Sequence, residues 1–153
     1  MISKEKKQAI RDLGVEFSRA VIFMHEAIAR KAGLSGTDHK YLGLIIKSGQ
    51  MTAGELAEAT GLTTGAVTGL IDRLEDKKLV RRLFDKQDRR KVKIVPIKEN
   101  VRKILDPHFE HLLEGTVRLV SSFSEEEMKV IEKYFRLAIE MMEDVKHKLQ
   151  KGK

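Results

Sequence analysis

The chain has 153 residues, 41% of them hydrophobic, and a formal net charge of +7, enough for one compact domain with its own core but short for two, and basic enough to point to a polyanionic partner. It has no cysteine, which excludes disulfides, thiolate zinc sites, a cysteine nucleophile and thiol-based redox sensing. With no Trp and two Tyr it lacks the stacking platforms of a single-strand binder, so duplex DNA is favoured; no apolar run nears the roughly 18 residues that span a bilayer and no signal-peptide core follows Met1, so a cytoplasmic protein with no membrane partner is expected.

Apolar positions recur at helical spacing over most of the chain. From about Lys4 to Lys31, Ile10, Leu13, Phe17, Ala20, Met24 and Ala27 repeat in steps of three and four, with charged residues on the other faces. That is the pattern of a dimer seam. Gly33 ends this helix, and a second is expected from about Thr37 to Lys47, before the Ser48-Gly49 break. Thr52 and Glu55 form a T-x-x-E capping box that opens a short helix to Thr60. Gly61 interrupts it, Thr63 caps a further helix from Thr64 to about Lys77, and Val67, Leu70, Ile71 and Leu74 supply its inner face.

Val80 to Phe84 and Lys91 to Val95 then read as two strands separated by a polar turn from Asp85 to Arg90, a hairpin with a basic tip. Helical spacing returns with Ile104, Leu105, Phe109, Leu112, Leu113, Val117 and Val120. A second capping box, Ser124 with Glu127, opens a last helix carrying Met128, Ile131, Phe135, Ala138, Met142 and Val145. The tail from Lys151 to Lys153 is expected to fray.

The segment from Ala53 to Asp72 concentrates the functional signal. Ala57 suits a close helix crossing, Gly61 can take the left-handed conformation of a sharp turn, and Leu56, Leu62, Val67 and Leu70 pin the second helix to the first. The outer face of that second helix carries Thr64, Gly65 and Thr68 near its amino-terminal end, the part of a helix-turn-helix that enters the major groove. Threonine hydroxyls bond base edges or phosphates and the methyl touches thymine. Gly65 and Gly69 each cost about 0.5 to 1 kcal/mol relative to alanine in a helix. Either they let the backbone approach DNA closely or they are tolerated surface or packing glycines, and both readings stay open. A phosphate-loop reading fails because no G-K-[ST] follows. The hairpin adds Arg81, Arg82, Lys86, Arg89, Arg90, Lys91 and Lys93. An isolated basic hairpin is usually a solvated face, but directly after a helix-turn-helix it is placed to reach an adjacent minor groove, whose narrow A/T tracts attract arginine.

The stretch T-A-G-E-L-A-E-A-T-G-L-T-T-G-A-V-T-G-L-I-D-R-L-E-D-K-K-L-V-R-R from Thr52 to Arg82, followed by D-K-Q-D-R-R from Asp85 to Arg90, resembles the DNA-binding lobe of MarR-family regulators. The resemblance is strong from about Leu34 to Val95 and rests on pattern at both ends. It implies a mainly α fold: a winged helix-turn-helix with a two-stranded β-wing, over residues 34–98, flanked by dimerisation helices at residues 4–31 and 101–149 in one domain of residues 1–153. It implies a transcriptional regulator, in the repressor sense, binding double-stranded DNA as a homodimer and released by a small-molecule effector. The DNA-binding residues are then Thr63, Thr64, Gly65, Thr68, Arg73, Arg89, Arg90 and Lys91, with Asp88 orienting the wing, Arg90 entering the minor groove and Arg73 meeting phosphate or the wing. The seam is carried by Ile10, Leu13, Phe17 and Met24, and His25, Arg30, His39 and Tyr41 are candidate effector contacts. One departure is Val95-Pro96-Ile97, where the family's second wing strand ends in Leu-Thr; it leaves the strand's end open.

Other classes are weaker. No G-x-S-x-G elbow, H-E-x-x-H helix or cysteine nucleophile supports an enzyme, and no cofactor is expected. A protein-interaction module on the same winged-helix fold is an alternative. A metal-responsive regulator is another: Asp38 and His39 share a helix start, and His108 and His111 lie three apart on a later helix. No metal ligand set is assigned from these.

Overall fold

A computed structural model describes residues 1–84 and 92–151 of the chain, with side chains to residue 149. Among them run helix α1 (Lys4–Lys31), α2 (Gly36–Ser48), strand β1 (Met51–Thr52), α3 (Ala53–Thr60), α4 (Thr64–Asp76), β2 (Val80–Phe84), β3 (Val92–Pro96), α5 (Lys98–Val120) and α6 (Glu125–Lys151). The fold is mainly α with a winged helix-turn-helix. It divides into two compact units, Met1–Phe109 and Glu110–Lys153.

Local side-chain chemistry fixes most helix starts. Ser35 Oγ accepts the Asp38 N–H over 3.0 Å, so α2 opens at Gly36 rather than at Thr37. Both capping boxes form: Thr52 Oγ1 accepts the Glu55 N–H at 3.2 Å while Glu55 Oε2 accepts the Thr52 N–H at 2.6 Å, and Ser124 and Glu127 repeat the exchange at 3.3 and 2.8 Å. α5 begins at Lys98 and runs through Pro107, earlier than its apolar spacing announces.

The core of the first unit gathers one side from each element around α4. Leu42 and Ile45 of α2, Leu56 of α3, Val67, Leu70, Ile71 and Leu74 of α4, Val80 of β2, Ile94 of β3 and Val101 and Leu105 of α5 are all buried. The α4 residues fall at positions i, i+3, i+4 and i+7, so its opposite face is left outward.

The sheet has three antiparallel strands in the order β1-β3-β2 rather than two. Met51 pairs with Ile94 and Thr52 with Lys93, while β2 and β3 register Val80 with Pro96 through to Phe84 with Val92. Pro96 closes β3, and the chain stays in register one residue further, where the Ile97 N–H donates to the Leu79 carbonyl over 2.8 Å. Proline at the last position of a strand loses no ladder bond that the sheet needs.

The second unit comprises the carboxy-terminal part of α5 and α6. Its α6 carries Phe135, Met142 and Val145 exposed along one stripe at helical spacing.

Candidate nucleic-acid interface

α3 and α4 are joined by Gly61, whose φ of 71° and ψ of 12° place it in the left-handed region that a non-glycine residue enters only at a cost. Thr60 ties the turn from both sides: its hydroxyl donates to the Leu56 carbonyl at 2.6 Å and accepts the Leu62 N–H at 3.3 Å. Thr63 Oγ1 then accepts the Ala66 N–H at 3.3 Å and starts α4. Two threonine side chains and one glycine thereby aim α4 with its outer face to solvent.

That face is small, polar and uncharged at its leading end. Thr63, Thr64, Gly65, Ala66 and Thr68 are exposed. A Cβ built on Gly65 would meet nothing within 4 Å, so no packing demand explains this glycine. Thr68 spends its hydroxyl proton on the Thr64 carbonyl at 3.0 Å. What it offers outward is therefore an acceptor oxygen and a methyl group.

Electrostatics single out the same helix end. α1, α2, α3, α5 and α6 each carry at least one acidic residue in the first turn, and α4 carries none. Its partial positive charge of about half an elementary unit is left uncompensated by the chain, the state that suits an approaching phosphate.

Arg73 lies further along α4 and its guanidinium is turned to α2. Nε donates to Asp38 Oδ2 at 3.1 Å and Nη2 to Asp38 Oδ1 at 2.7 Å, a two-pronged pair across 35 residues of sequence. Asp38 is buried; the Arg73 side chain remains 54% exposed. The guanidinium beside it, with the Ser35 hydroxyl, holds the Asp38 carboxyl below the usual carboxylate range, although burial works the other way. Arg82, which the sequence reading gave only as part of a basic run, anchors β2 to α4. Its Nη2 lies 2.6 Å from Asp72 Oδ1, its Nη1 bonds Glu75 Oε2 and its backbone N–H donates to Glu75 Oε1 at 3.0 Å. The root of the hairpin is thus tied to α4.

The wing-tip residues Asp88, Arg89, Arg90 and Lys91 lie outside the described residues.

A cavity of about 900 Å³ opens in the first unit between α1, α2 and α5, walled by Val21, Ile22, Ile46, Val101 and Leu105 among others. His25 and His39 both line it, with ring centroids 5.4 Å apart, and Phe109 stacks on His39 at 5.9 Å. Burial first, and the neighbouring His25 second, lower the pKa of His39, which favours its neutral form. His25 Nδ1 is buried and has no hydrogen-bond partner among the described residues. Arg30 and Tyr41 do not line the cavity. Arg30 is exposed at the end of α1, and Tyr41 packs half-buried against the core with Lys40 Nζ 5.4 Å from its ring. Residues two apart on a helix point about 200° apart, so His39 and Tyr41 cannot share a wall. No group of three or more His, Asp or Glu that could hold a metal ion occurs among the described residues. No described helix is long and apolar enough to cross a membrane.

Comparison with known proteins adds an independent line. A family model described as "MarR family" matches residues 32–91. The chain is 40% identical over 149 residues to YcgE of Bacillus subtilis (strain 168), an uncharacterized HTH-type transcriptional regulator, covering 97% of this chain and 94% of that protein. Among solved structures, Streptococcus pneumoniae FabT in complex with DNA aligns with a TM-score of 0.75 at 24% identity, over 91% of this chain and 99% of that one. A MarR family protein from Bacillus stearothermophilus aligns with a TM-score of 0.71 at 24% identity, over 92% and 99%. These two likenesses establish the shared fold.

Proposed function

The chain belongs to the MarR family of HTH-type transcriptional regulators, and on that premise we propose that it binds duplex DNA as a homodimer and represses until a small-molecule effector releases it. The observation that carries this reading is the outer face of α4: exposed Thr64, Gly65 and Thr68 at a helix end with no acidic residue in its first turn. Such a face fits a groove lined by phosphates and base edges. Two copies of α4 would occupy successive major grooves of a pseudo-palindrome, about 10 bp apart. Thr63 contributes at the helix start, Arg90 with Arg89 beside it would enter the flanking minor groove, Lys91 would add a further DNA contact, and Asp88 would orient the wing.

Support for the pair comes from α1. It has 28 residues, of which only Ile28 and Ala29 are buried within the chain. Ile10, Leu13 and Phe17 are 48, 59 and 60% exposed at seam spacing, with Met24 half-buried. An apolar stripe of that extent is the kind of surface a second copy covers. Support for effector release comes from the cavity, which has the size of a small-molecule site and combines an apolar wall with Glu26, Lys40, Arg102 and Asp106 in its lining. His25 and His39 are the contacts retained from the sequence; Arg30 and Tyr41 lie elsewhere.

The test is selection of duplexes from a random pool by the purified protein, followed by mobility shifts on the selected sequence at several stated salt concentrations. A preferred pseudo-palindrome bound two chains at a time is expected. Replacing Arg90 by alanine should weaken binding and flatten its salt dependence without dissociating the pair. Affinity for the selected duplex no greater than for random DNA would overturn the reading.

A further inference from the structure

Asp38 and His39 are consecutive residues of α2 that serve two different places. The Asp38 carboxylate, 4% exposed, receives both prongs of Arg73 from α4. The His39 ring, 9% exposed, stands in the cavity wall against His25 of α1 and Phe109 of α5. Neighbouring residues of a helix are rigidly offset by about 100°, so this turn cannot shift one of the two side chains and leave the other in place.

From this juxtaposition we infer that the first turn of α2 relays occupation of the cavity to the DNA-reading helix, with Asp38 and Arg73 as the positioning residues that carry it. The inference rests on the reading of the chain as an effector-released DNA binder. α2 and α4 also share the common core, to which α2 contributes Leu42 and Ile45. Apolar packing is non-directional and tolerates small slides. A two-pronged charge-assisted pair does not: it holds its geometry or breaks, which is the discrete behaviour a switch element requires. Its place on α4 is also suited to the task. Arg73 sits one turn beyond Gly69, where a Cβ would come 3.5 Å from Arg73 Nη1, so the guanidinium lies folded along the strip of helix surface that continues the Gly65 face. Displacing Asp38 therefore acts directly on the face presented to DNA. Because Asp38 is only 4% exposed, separating it from Arg73 would leave a buried carboxylate unpaired, a cost that favours Arg73 moving with it when α2 shifts.

The relay can be read without knowing the effector, by giving the cavity a built-in occupant. Gly43 lines the cavity on α2, and a Cβ there meets nothing within 4 Å. Gly43→Leu adds a side chain at that wall and removes a helix-interior glycine, so the variant is expected to fold at least as well as the parent. The experiment measures the dissociation constant for a duplex selected by the parent protein in four proteins: parent, Gly43→Leu, Asp38→Ala and the double variant. Thermal unfolding confirms that each is folded. In Asp38→Ala the freed Arg73, already half in water, keeps its charge without a buried partner being stranded. Gly43→Leu should change affinity about tenfold or more in the parent, within the usual range of coupling between sites, and about twofold or less when Asp38 is absent. The same fold-change in both backgrounds, or no change in the parent, overturns the relay. If the parent itself shows no selective binding, it is the DNA reading that fails; selective binding with additive changes sinks the relay alone.

Discussion

Asn100, at the start of α5, donates from Nδ2 to the Lys78 carbonyl over 2.8 Å. That carbonyl belongs to the one non-glycine residue with positive φ among those described, Lys78 at 56°. The left-handed residue ends α4: the Lys78 N–H returns to the Glu75 carbonyl at 2.8 Å and the Leu79 N–H to the Leu74 carbonyl at 2.9 Å, a closure usually given to glycine. Strain of about 1 kcal/mol is thus held where α4 passes into β2. Lys78→Gly should relieve it and raise stability by roughly 0.5 to 1 kcal/mol, since relief exceeds the added freedom of the unfolded chain. Asn100→Ala should lower stability by about 1 kcal/mol. Urea midpoints at one protein concentration decide both, and a destabilised Lys78→Gly protein would refute the strain argument.

The Asp38 pair gives the protein a definable acid sensitivity. Its folded pKa is depressed, first by the bonds from Arg73 and against the effect of burial. A depressed carboxyl stabilises the fold fully above its unfolded value, about 3.9 for aspartate, and loses that contribution as pH falls through the lower folded value. The stability gap between the parent and Asp38→Asn should therefore be constant near neutrality and shrink below about pH 4. Glu55 and Glu127, lowered by their own capping bonds, are present in both proteins and cancel in the difference. A gap that does not change between pH 7 and pH 3 would show that the pair is not what Asp38 contributes.

Gly65 separates stability from recognition. Nothing surrounds its missing side chain, so Gly65→Ala should stabilise α4 by about 0.5 to 1 kcal/mol. If the glycine serves close approach to DNA, the same methyl should weaken binding to the selected duplex by about tenfold, the scale of one lost groove contact. A variant that is more stable and binds unchanged would assign Gly65 to tolerated surface.

What could be read in the sequence was whatever acts over a few residues. The Thr52–Glu55 and Ser124–Glu127 boxes, the Gly61 turn and the inward spacing of Val67, Leu70, Ile71 and Leu74 are local devices, and each stands where its pattern put it. What escaped depends on partners far along the chain. β1 is two residues long and exists only because β3 offers it Lys93 and Ile94. Arg73 reads in the sequence as a phosphate or wing-orienting contact, and nothing near it announces its pair with Asp38. Arg82 was one base in a run until Asp72 and Glu75 came round to it. Phe109 had no signal as a cavity wall. The exclusion of Tyr41 was available from helical geometry, since it lies about 200° round α2 from His39.

The seam on α1 yields the test of assembly. The helix is about 42 Å long at 1.5 Å per residue, and its amino-terminal two-thirds buries none of its side chains within the chain. Most helical stability in proteins comes from packing an apolar face rather than from propensity, and on the proposed reading the α1 stripe packs on a second copy. In a two-fold pair every substitution appears twice, and the proposed interface would bury both copies of Leu13. Leu13→Asp would then place two unpaired carboxylates in an apolar seam at several kcal/mol each. Sedimentation equilibrium should find this variant dissociated or unfolded at concentrations where the parent is a pair, and the parent's melting temperature should rise with concentration. Arg19→Ala, two residues from Phe17 and so about 200° round the helix, should leave assembly unchanged. If Leu13→Asp behaves like Arg19→Ala, the stripe on α1 is not where two chains meet, and the fixed spacing of two α4 helices would need another origin.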